Sequence, residues 1–132
     1  NKNISEVDLS SNGFGDEEIK PLGNLLKIND SITVINLHAN SIGSEGTKAL
    51  AEALKLNKSL TQVDLSHNKI DDEGVKALAE SLSVNTSLTS VDLAMNWVGD
   101  QGLEALAESL KVTRTISKLD LSGNAIGDQG VK

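Results

Sequence analysis

The residues of this 132-residue chain with side chains suited to catalysis or metal binding lie around its two histidines. Ser66, His67 and Asp64 are close in sequence and contain the groups of a nucleophilic Ser-His-Asp arrangement. Ordinary alternation along a strand produces such neighbours, and nothing nearby resembles a nucleophile elbow or an oxyanion hole. His38 and His67, helped by carboxylates, make a metal site only slightly more plausible. We therefore predict no enzyme activity, and no catalytic, metal-binding or cofactor-binding residue.

The composition excludes further classes of function. The chain has no cysteine, which removes disulfides, thiolate catalysis and cysteine metal sites. Its net charge is −7 and its only arginine is Arg114, whereas phosphate contacts need a basic patch. No apolar run approaches the roughly 18 residues of a membrane span, and no signal peptide is visible. The sequence predicts a cytoplasmic protein that binds neither nucleic acid nor membranes.

A repeat of 28 residues must position all of these side chains. Five columns recur at this step: Asn12, Asn40, Asn68, Asn96 and Asn124; Leu9, Leu37, Leu65, Leu93 and Leu121; Ile4, Ile32, Leu60, Leu88 and Ile116; Val7, Ile35, Val63, Val91 and Leu119; Phe14, Ile42, Ile70, Val98 and Ile126. Columns in register over five copies predict a repeat architecture. Four Asn-x-Ser sequons occur at Asn3, Asn29, Asn57 and Asn85. Three of them follow the same period, so the repeat explains them without glycosylation.

Each unit combines a short strand with a helix. In "LTQVDLSHNKI" (60–70), the alternation around Val63 and Leu65 is that of a half-buried strand. In "DDEGVKALAESL" (71–82), apolar residues at steps of three and four share one helix face. We place the N-caps at residue types preferred there, which are Asp16, Ser44, Asp72, Asp100 and Asp128. Glu–Lys pairs three residues apart are expected on the helix surfaces: Glu45/Lys48, Glu52/Lys55, Glu73/Lys76 and Glu108/Lys111.

Two units depart from the pattern. Asp71 and Glu18 replace glycines found at the same positions of other units. Aspartate tolerates unusual backbone angles, so the turn at Asp71 is expected to survive. Pro21 and Gly23 stand where later units have alanine, so we expect a weaker first helix.

Strands joined by helices at a short period cross over in a right-handed sense and stack into a curved solenoid. Strands would line the concave face and helices the convex face. The recurring asparagines are expected to be structural, because an amide can bond the backbone of its own turn and of the next.

At this point the pattern resembles the leucine-rich repeat family, over essentially the whole chain. The strand half fits L-x-x-L-x-L-x-x-N, and "GDQG" at 99–102 and 127–130 with "ALAE" in the helix resembles the ribonuclease-inhibitor-like subclass. That subclass includes ribonuclease inhibitor, innate immune receptors, Ran GTPase activators and tropomodulins. The resemblance implies an α/β horseshoe segment used for protein recognition.

The expected domain is a single unit, 1–132, with about four and a half repeats near 4–31, 32–59, 60–87, 88–115 and 116–132. The repeat pattern is incomplete at both ends, since Lys132 falls in the first turn of a fifth helix and the sequence contains no polar capping unit. We expect a longer parent protein, or self-association through the uncapped ends.

The concave face carries an acidic column, Asp8, Asn36, Asp64, Asp92 and Asp120. Like charges about 5 Å apart would raise one another's pKa. One interpretation, which is favoured, has each aspartate solvated or bonded to local backbone and hydroxyl groups. The other is a docking strip for a basic partner, where charge sets orientation and on-rate.

Trp97 occupies a column whose other members are Gly13, Ser41, Lys69 and Ala125, so it is not a core position. We place it at the rim of the concave face near Met95 and Lys69. Exposed tryptophan is enriched at binding hot spots, which favours contact with a partner over packing against Lys69.

These residues predict a non-enzymatic module that binds another protein, which would have a basic surface if the acidic column docks it. The candidate binding residues are Asp64, Asp92, Asp120, Lys69, Met95, Trp97, His38 and His67. Two alternatives remain open. The chain could regulate an enzyme, in the manner of a GTPase activator or ribonuclease inhibitor, or it could be a structural or autoinhibitory segment of a larger receptor.

Overall fold

The computed structural model describes residues 5–125 as strands and helices in strict alternation. The elements are β1 (Glu6–Asp8), α1 (Asp16–Ile28), β2 (Val34–Asn36), α2 (Ser44–Leu56), β3 (Gln62–Asp64), α3 (Asp72–Val84), β4 (Ser90–Asp92), α4 (Asp100–Leu110) and β5 (Lys118–Asp120). Expectations that concern Asn3, Ile4, Ile126, Asp128 and Lys132 lie outside the described residues.

The five strands form one parallel sheet in chain order. Each strand pairs with the next in a register of 28 residues, so that Val7 lies beside Ile35 and Val63 beside Val91. The helices pack side by side in the same order, α1 on α2, α2 on α3 and α3 on α4. This is the predicted α/β leucine-rich repeat solenoid.

The core lies between the sheet and the helices and is built from the predicted columns. Ile35, Leu37 and Ile42 are fully buried, as are their counterparts in the third and fourth units. On the helix side, Val75, Leu78, Ala79 and Leu82 are buried on one face, as their spacing predicts. The corresponding residues at both ends of the sheet are only partly buried: Val7, Leu9, Phe14, Ile116, Leu119 and Leu121.

The helices begin one residue earlier than the predicted caps. The N-cap positions are Gly15, Gly43, Asp71 and Gly99, and the aspartates placed there from the sequence are the first helical residues. Asp72 caps the following repeat instead, since its Oδ1 accepts hydrogen bonds from the backbone N–H groups of Gly99, at 2.7 Å, and Gly102, at 3.0 Å. Asp16 likewise accepts from Gly43 at 2.7 Å. At α2 and α4 the cap therefore also links two repeats.

This cross-repeat cap explains the two departures from the glycine pattern. The second unit has Ser44 in place of the aspartate that reaches forward, and Asp71 instead accepts from Gly74 within its own helix at 3.2 Å. In the first unit, Glu18 accepts from the Gly15 N–H at 2.7 Å. Asp71 has φ −107° and ψ −169°, an extended conformation open to any residue, so the expected need for unusual backbone angles was wrong.

The first helix is continuous despite Pro21 and is as long as α2 and α3, at 13 residues. Gly23 has a packing role, because a Cβ there would lie 3.1 Å from the carbonyl oxygen of Ala49 on α2. The shorter helix is α4, with 11 residues.

The asparagine that ends each strand unit holds two repeats together. The amide of Asn40 donates to the carbonyls of Leu9 and Leu37, and its Oδ1 accepts from the N–H groups of Asn12 and Phe14. The pattern recurs at the other members of this column, Asn68, Asn96 and Asn124. The structural role is as predicted, but the bonds reach the preceding turn and not the next.

A second asparagine ladder follows the helices at Asn29, Asn57 and Asn85. Asn57 donates to the Leu26 and Asn29 carbonyls, and its Oδ1 accepts from the N–H groups of Ser59 and Leu60. Asn57 is 3% exposed and Asn85 is 6% exposed. The sequons are therefore a structural device of the repeat, and at these two positions the asparagine is buried.

Candidate functional site

The acidic column runs across the sheet with one oxygen of each carboxylate bonded locally. Asp64 Oδ1 accepts from the Ser66 N–H at 2.9 Å and from the Ser66 hydroxyl at 2.6 Å. Asp92 Oδ1 accepts from the Ala94 N–H at 2.9 Å. The same local bonding is found at both ends of the column, Asp8 with Ser10 and Asp120 with Ser122. These contacts agree with the interpretation of local hydrogen bonding.

The expected mutual rise in pKa was wrong for the two outer aspartates. The pKa of Asp8 is lowered, first by the hydrogen bond from the Ser10 side chain and then by that from the Ser10 backbone. The pKa of Asp120 is lowered as well, first by the backbone and then by the side chain of Ser122. Hydrogen bonds donated to the charged form outweigh desolvation by burial, which raises the pKa.

The histidines do not form a catalytic arrangement with Ser66. His67 is not its partner: the His38 Nδ1 lies 2.7 Å from Ser66 Oγ. Because the Ser66 hydroxyl proton points to Asp64, Ser66 accepts from the His38 ring, which therefore carries its proton on Nδ1. The order is carboxylate, hydroxyl, imidazole, so the serine proton faces Asp64 and not a histidine, unlike the order in a Ser-His-Asp triad.

The His38 and His67 rings meet edge to face, with centroids 4.8 Å apart. Within residues 5–125, no group of three or more His, Asp or Glu side chains is arranged to hold a metal ion. The two histidines therefore line the concave side as polar aromatic surface contributed by adjacent repeats.

Trp97 and Met95 form an exposed apolar pair in the loop between β4 and α4. Trp97 is 60% exposed and Met95 48% exposed. The backbone beneath them is fixed, since the N–H of Trp97 donates to the Ile70 carbonyl at 2.8 Å. The aromatic contact found in residues 5–125 joins the two histidines, and no ring–cation contact between Trp97 and Lys69 is found there. The tryptophan ring therefore faces solvent.

Met95 stands at a position of the repeat that has a left-handed backbone. Its φ is 58°, and this column also holds Ser11, Ala39, His67 and, at φ 72°, Gly123. Such a φ is strained for residues other than glycine. A Cβ built on Gly123 would collide with the Met95 Sδ, so the Met95 side chain lies over Gly123 of the next repeat. The glycine gives room for the methionine.

Trp97 lies shortly before the start of α4. The helix starts lie on the same edge of the solenoid, and the Asp72 carboxylate lies against Gly99, two residues after Trp97. A hollow of about 270 Å³ on the concave side is lined by strand residues that include Asp64, Asp92 and Asp120. The structure thus places the acidic residues on the sheet and the apolar pair in the adjoining loop, as the sequence predicts.

A second, larger depression lies on the convex side. The groove, of about 620 Å³, runs between α3 and α4 over small side chains such as Ala79, Ala105 and Ser109. Polar side chains of both helices, among them Lys76 and Gln101, border this groove. In the described part of the chain, no helix is long and apolar enough to cross a membrane.

Sequence reasoning missed a row of exposed aliphatic side chains at the ends of the helices. They are Ile28, Leu56, Val84 and Val112, and we call them the apolar row. The 28-residue spacing shows this column in the sequence, but apolar columns in a repeat are normally taken as core. Only the packing of the helices distinguishes an exposed column from a buried one.

The chain is similar to a known family and to solved structures. The family model described as "Leucine Rich repeat" matches residues 1–23, 56–79, 84–107 and 113–132. Among solved structures, leiomodin-1 actin-binding site 2 is similar with a TM-score of 0.84 and 23% identity, over 92% of this chain and 72% of its own. The tropomodulin C-terminal domain of Caenorhabditis elegans gives 0.82 and 17%, over 92% and 75%. At such identities the likeness concerns the fold alone. No curated protein matches the chain significantly.

Proposed function

The chain belongs to the leucine-rich repeat family, and from this premise we propose that it is a non-enzymatic module that binds another protein through its concave face. The observation that carries the proposal is the exposure of Trp97 beside Met95. A large exposed aromatic side chain on a rigid loop makes a contact area at low entropic cost, and tryptophan is the residue type most enriched among hot spots.

The partner we propose presents a basic segment. Asp64, Asp92 and Asp120 each use one carboxylate oxygen for local bonds, which leaves the second oxygen to face a ligand. A lysine or arginine of the partner would meet these carboxylates and could also stack on the face of Trp97. His38, His67 and Lys69 complete the proposed surface as polar groups beside it.

Binding is tested by retention from cell extract on the whole chain and on a Trp97→Ala, Asp92→Lys double variant. We expect proteins with basic segments to be retained by the unchanged chain and lost with the variant. A Glu104→Lys variant, which reverses an exposed carboxylate of α4 outside the proposed surface, is the matched control and should retain them. Equal retention by all three baits would contradict the proposal that the concave face binds the partner.

Actin is the first single partner to test, because the similar leiomodin-1 domain is an actin-binding site. Trp97 is the only tryptophan, so its fluorescence reports directly on contact at the proposed surface. Since actin has its own tryptophans, co-sedimentation with filaments is measured alongside for the unchanged chain and the double variant. If the double variant co-sediments as well as the unchanged chain, the result argues against the concave site. If neither co-sediments, actin is excluded as the partner but other proteins are not.

A further inference from the structure

The apolar row is a surface feature that the concave site does not use. Ile28 is 84% exposed, Leu56 60%, and Val84 and Val112 58% each. Ile28, Leu56 and Val84 are the last residues of α1, α2 and α3, and Val112 follows α4 by two positions. Isolated exposed aliphatic residues are normal on soluble proteins. Four in one column, one at each helix end, form a repeated apolar edge on the order of a few hundred Å², the size of the largest patches on typical monomers, which are often functional.

The net charge beside the apolar row is opposite in sign to that of the chain as a whole. Within two residues of the row lie Lys27, Lys55, Lys58, Lys111 and Arg114, with Asp30 as the acidic exception. The opposite edge, where the helices begin, carries Asp16, Glu17, Glu18, Glu45, Asp71, Asp72, Glu73 and Asp100. A chain of net charge −7 therefore has one locally basic edge.

The helix macrodipole accounts for only part of this arrangement. Cations are favourable in the last turn of a helix, which explains Lys27 and Lys55. Lys55 and Lys111 are also held in ion pairs by Glu52 and Glu108, one turn back. Lys58 and Arg114 lie beyond the helices, and neither has an ion pair within residues 5–125. The dipole also gives no reason for aliphatic side chains in solvent.

We propose that the apolar row and its basic neighbours dock an amphipathic helix of a partner protein, with acidic residues flanking its apolar stripe. Helices packed side by side lie about 8–10 Å apart, so one row residue is presented at each such step. A partner helix advances about 10.5 Å in seven residues, so an apolar residue every seventh position would meet the row repeat by repeat. The flanking carboxylates would then meet Lys58 and Arg114.

A lipid surface fits these observations less well. Interfacial anchors place tryptophan, phenylalanine or leucine at the membrane boundary. The row offers a single leucine, Leu56, and Trp97 lies on the opposite edge, next to the helix starts. The net charge of −7 also opposes approach to anionic lipids.

The test is selection from a displayed library of 28-residue amphipathic helices. Leu, Ile and Val are fixed at the heptad apolar positions, and the flanking positions vary among Glu, Gln and Lys. The 132-residue chain is the target. We expect enriched helices to be acidic at the flanking positions. Their affinity should fall at least ten-fold for a Leu56→Ser, Val84→Ser variant, and also for a Lys58→Glu, Arg114→Glu variant.

Two controls separate the apolar row from other surfaces. A Met95→Ala, Trp97→Ala variant should bind the enriched helices unchanged, so the outcome is independent of the concave-face proposal. Circular dichroism melting should be unchanged for the serine variant, because the altered side chains are exposed. Enrichment of basic or neutral helices overturns the proposal. It is also overturned if no enriched helix loses affinity when Leu56 and Val84 are replaced. Row-dependent pelleting with phosphatidylcholine–phosphatidylserine vesicles in place of helix binding overturns it too.

Discussion

At the scale of single residues, the serine hydroxyls give equivalent carboxylates different environments. Ser10 Oγ lies 2.6 Å from Asp8 Oδ1, and Ser122 Oγ lies 2.8 Å from Asp120 Oδ1. The side chain is the larger cause of the lowered pKa at Asp8, whereas the backbone N–H is the larger cause at Asp120. The two positions of the repeat therefore depend differently on their serine.

This difference predicts the outcome of removing each hydroxyl. Ser10→Ala should raise the pKa of Asp8 toward its ordinary value of 3.8, and Ser122→Ala should raise that of Asp120 by less. Carboxyl carbon chemical shifts followed through an acid titration by NMR measure both. Equal shifts in the two variants, or none at Asp8, would contradict the assigned hydrogen bonds.

The lowered pKa values also determine how the stability of the fold changes with pH. Both carboxyls have a folded-state pKa below the unfolded value, so the folded state favours their charged form. Their contribution is present above the unfolded pKa and is lost as the pH falls through the lower folded pKa. The Ser10→Ala protein should therefore lose less stability on acidification below pH 3.8 than the unchanged chain.

Some residue-scale features could not be predicted from the sequence. The left-handed backbone at His67, whose φ is 58°, is one of them, and Ser66 bonds instead to His38, which occupies the same repeat position 28 residues earlier. A residue in that conformation breaks the alternation of a strand. The exposure of Trp97 was predicted, since its column otherwise holds small or charged residues.

At the scale of elements, the loop after α4 is where the second asparagine ladder ends. Thr113 takes the place of Asn29, Asn57 and Asn85, although its N–H still donates to the carbonyl of Ser109, as that of Asn85 does to Ser81. The hydroxyl oxygens of Thr113 and Thr115 are buried without a hydrogen-bond partner. A threonine is too short to make the amide contacts that join the other loops to the preceding repeat.

Restoring the asparagine should stabilise this loop. Thr113→Asn would offer the groups that Asn85 uses to donate to Leu54 and Asn57 and to accept from Ser87 and Leu88. We expect a gain of about 1–2 kcal/mol in the free energy of unfolding, measured by urea denaturation.

The reciprocal change tests the same ladder in the opposite direction. Asn85→Thr should lower the free energy of unfolding by about 1–3 kcal/mol, because buried backbone groups lose their partners. If both substitutions destabilise the chain to a similar extent, the fourth loop does not share the geometry of the third. A gain in one and a loss in the other is the expected pair of results.

The position of each helix was predictable, but the cap was not. The sequence places an aspartate one residue inside the helix, and local rules assign it to the N-cap. Asp72 instead reaches the N–H groups of Gly99 and Gly102, 27 and 30 residues ahead. Capping rules consider a single helix, so a carboxylate that serves the neighbouring helix lies outside them.

At the scale of the whole molecule, the solenoid could be predicted because the same 28-residue pattern recurs several times in the sequence. One strand of three residues is a weak signal, but five aligned copies determine period, strand register and the buried columns together. The exposure of the apolar row was not predictable in this way, because a column of recurring apolar residues looks the same in the sequence whether it is buried or exposed. It depends on where each helix ends relative to its neighbours.

Contacts in a solenoid are made only between neighbouring units, which predicts a gradient of local stability. In the described residues, β2, β3 and β4 are paired on both sides, whereas β1 and β5 are paired on one. Val63 and Val91 are buried, while Val7 and Leu119 are only partly buried. Opening from either end breaks one interface, but opening at the centre breaks two.

Native-state hydrogen exchange should therefore show the highest protection in β3 and α3 and lower protection toward β1 and β5. Val63→Ala, at the centre, should lower protection throughout the chain, with a loss on the order of 2 kcal/mol from the buried cavity. Leu119→Ala should lower protection near β5 and leave β1 and β2 unchanged. Uniform protection, or a Leu119→Ala effect that spreads to β1, would mean that the repeats open as one cooperative unit, because the end interfaces then couple as strongly as the central ones.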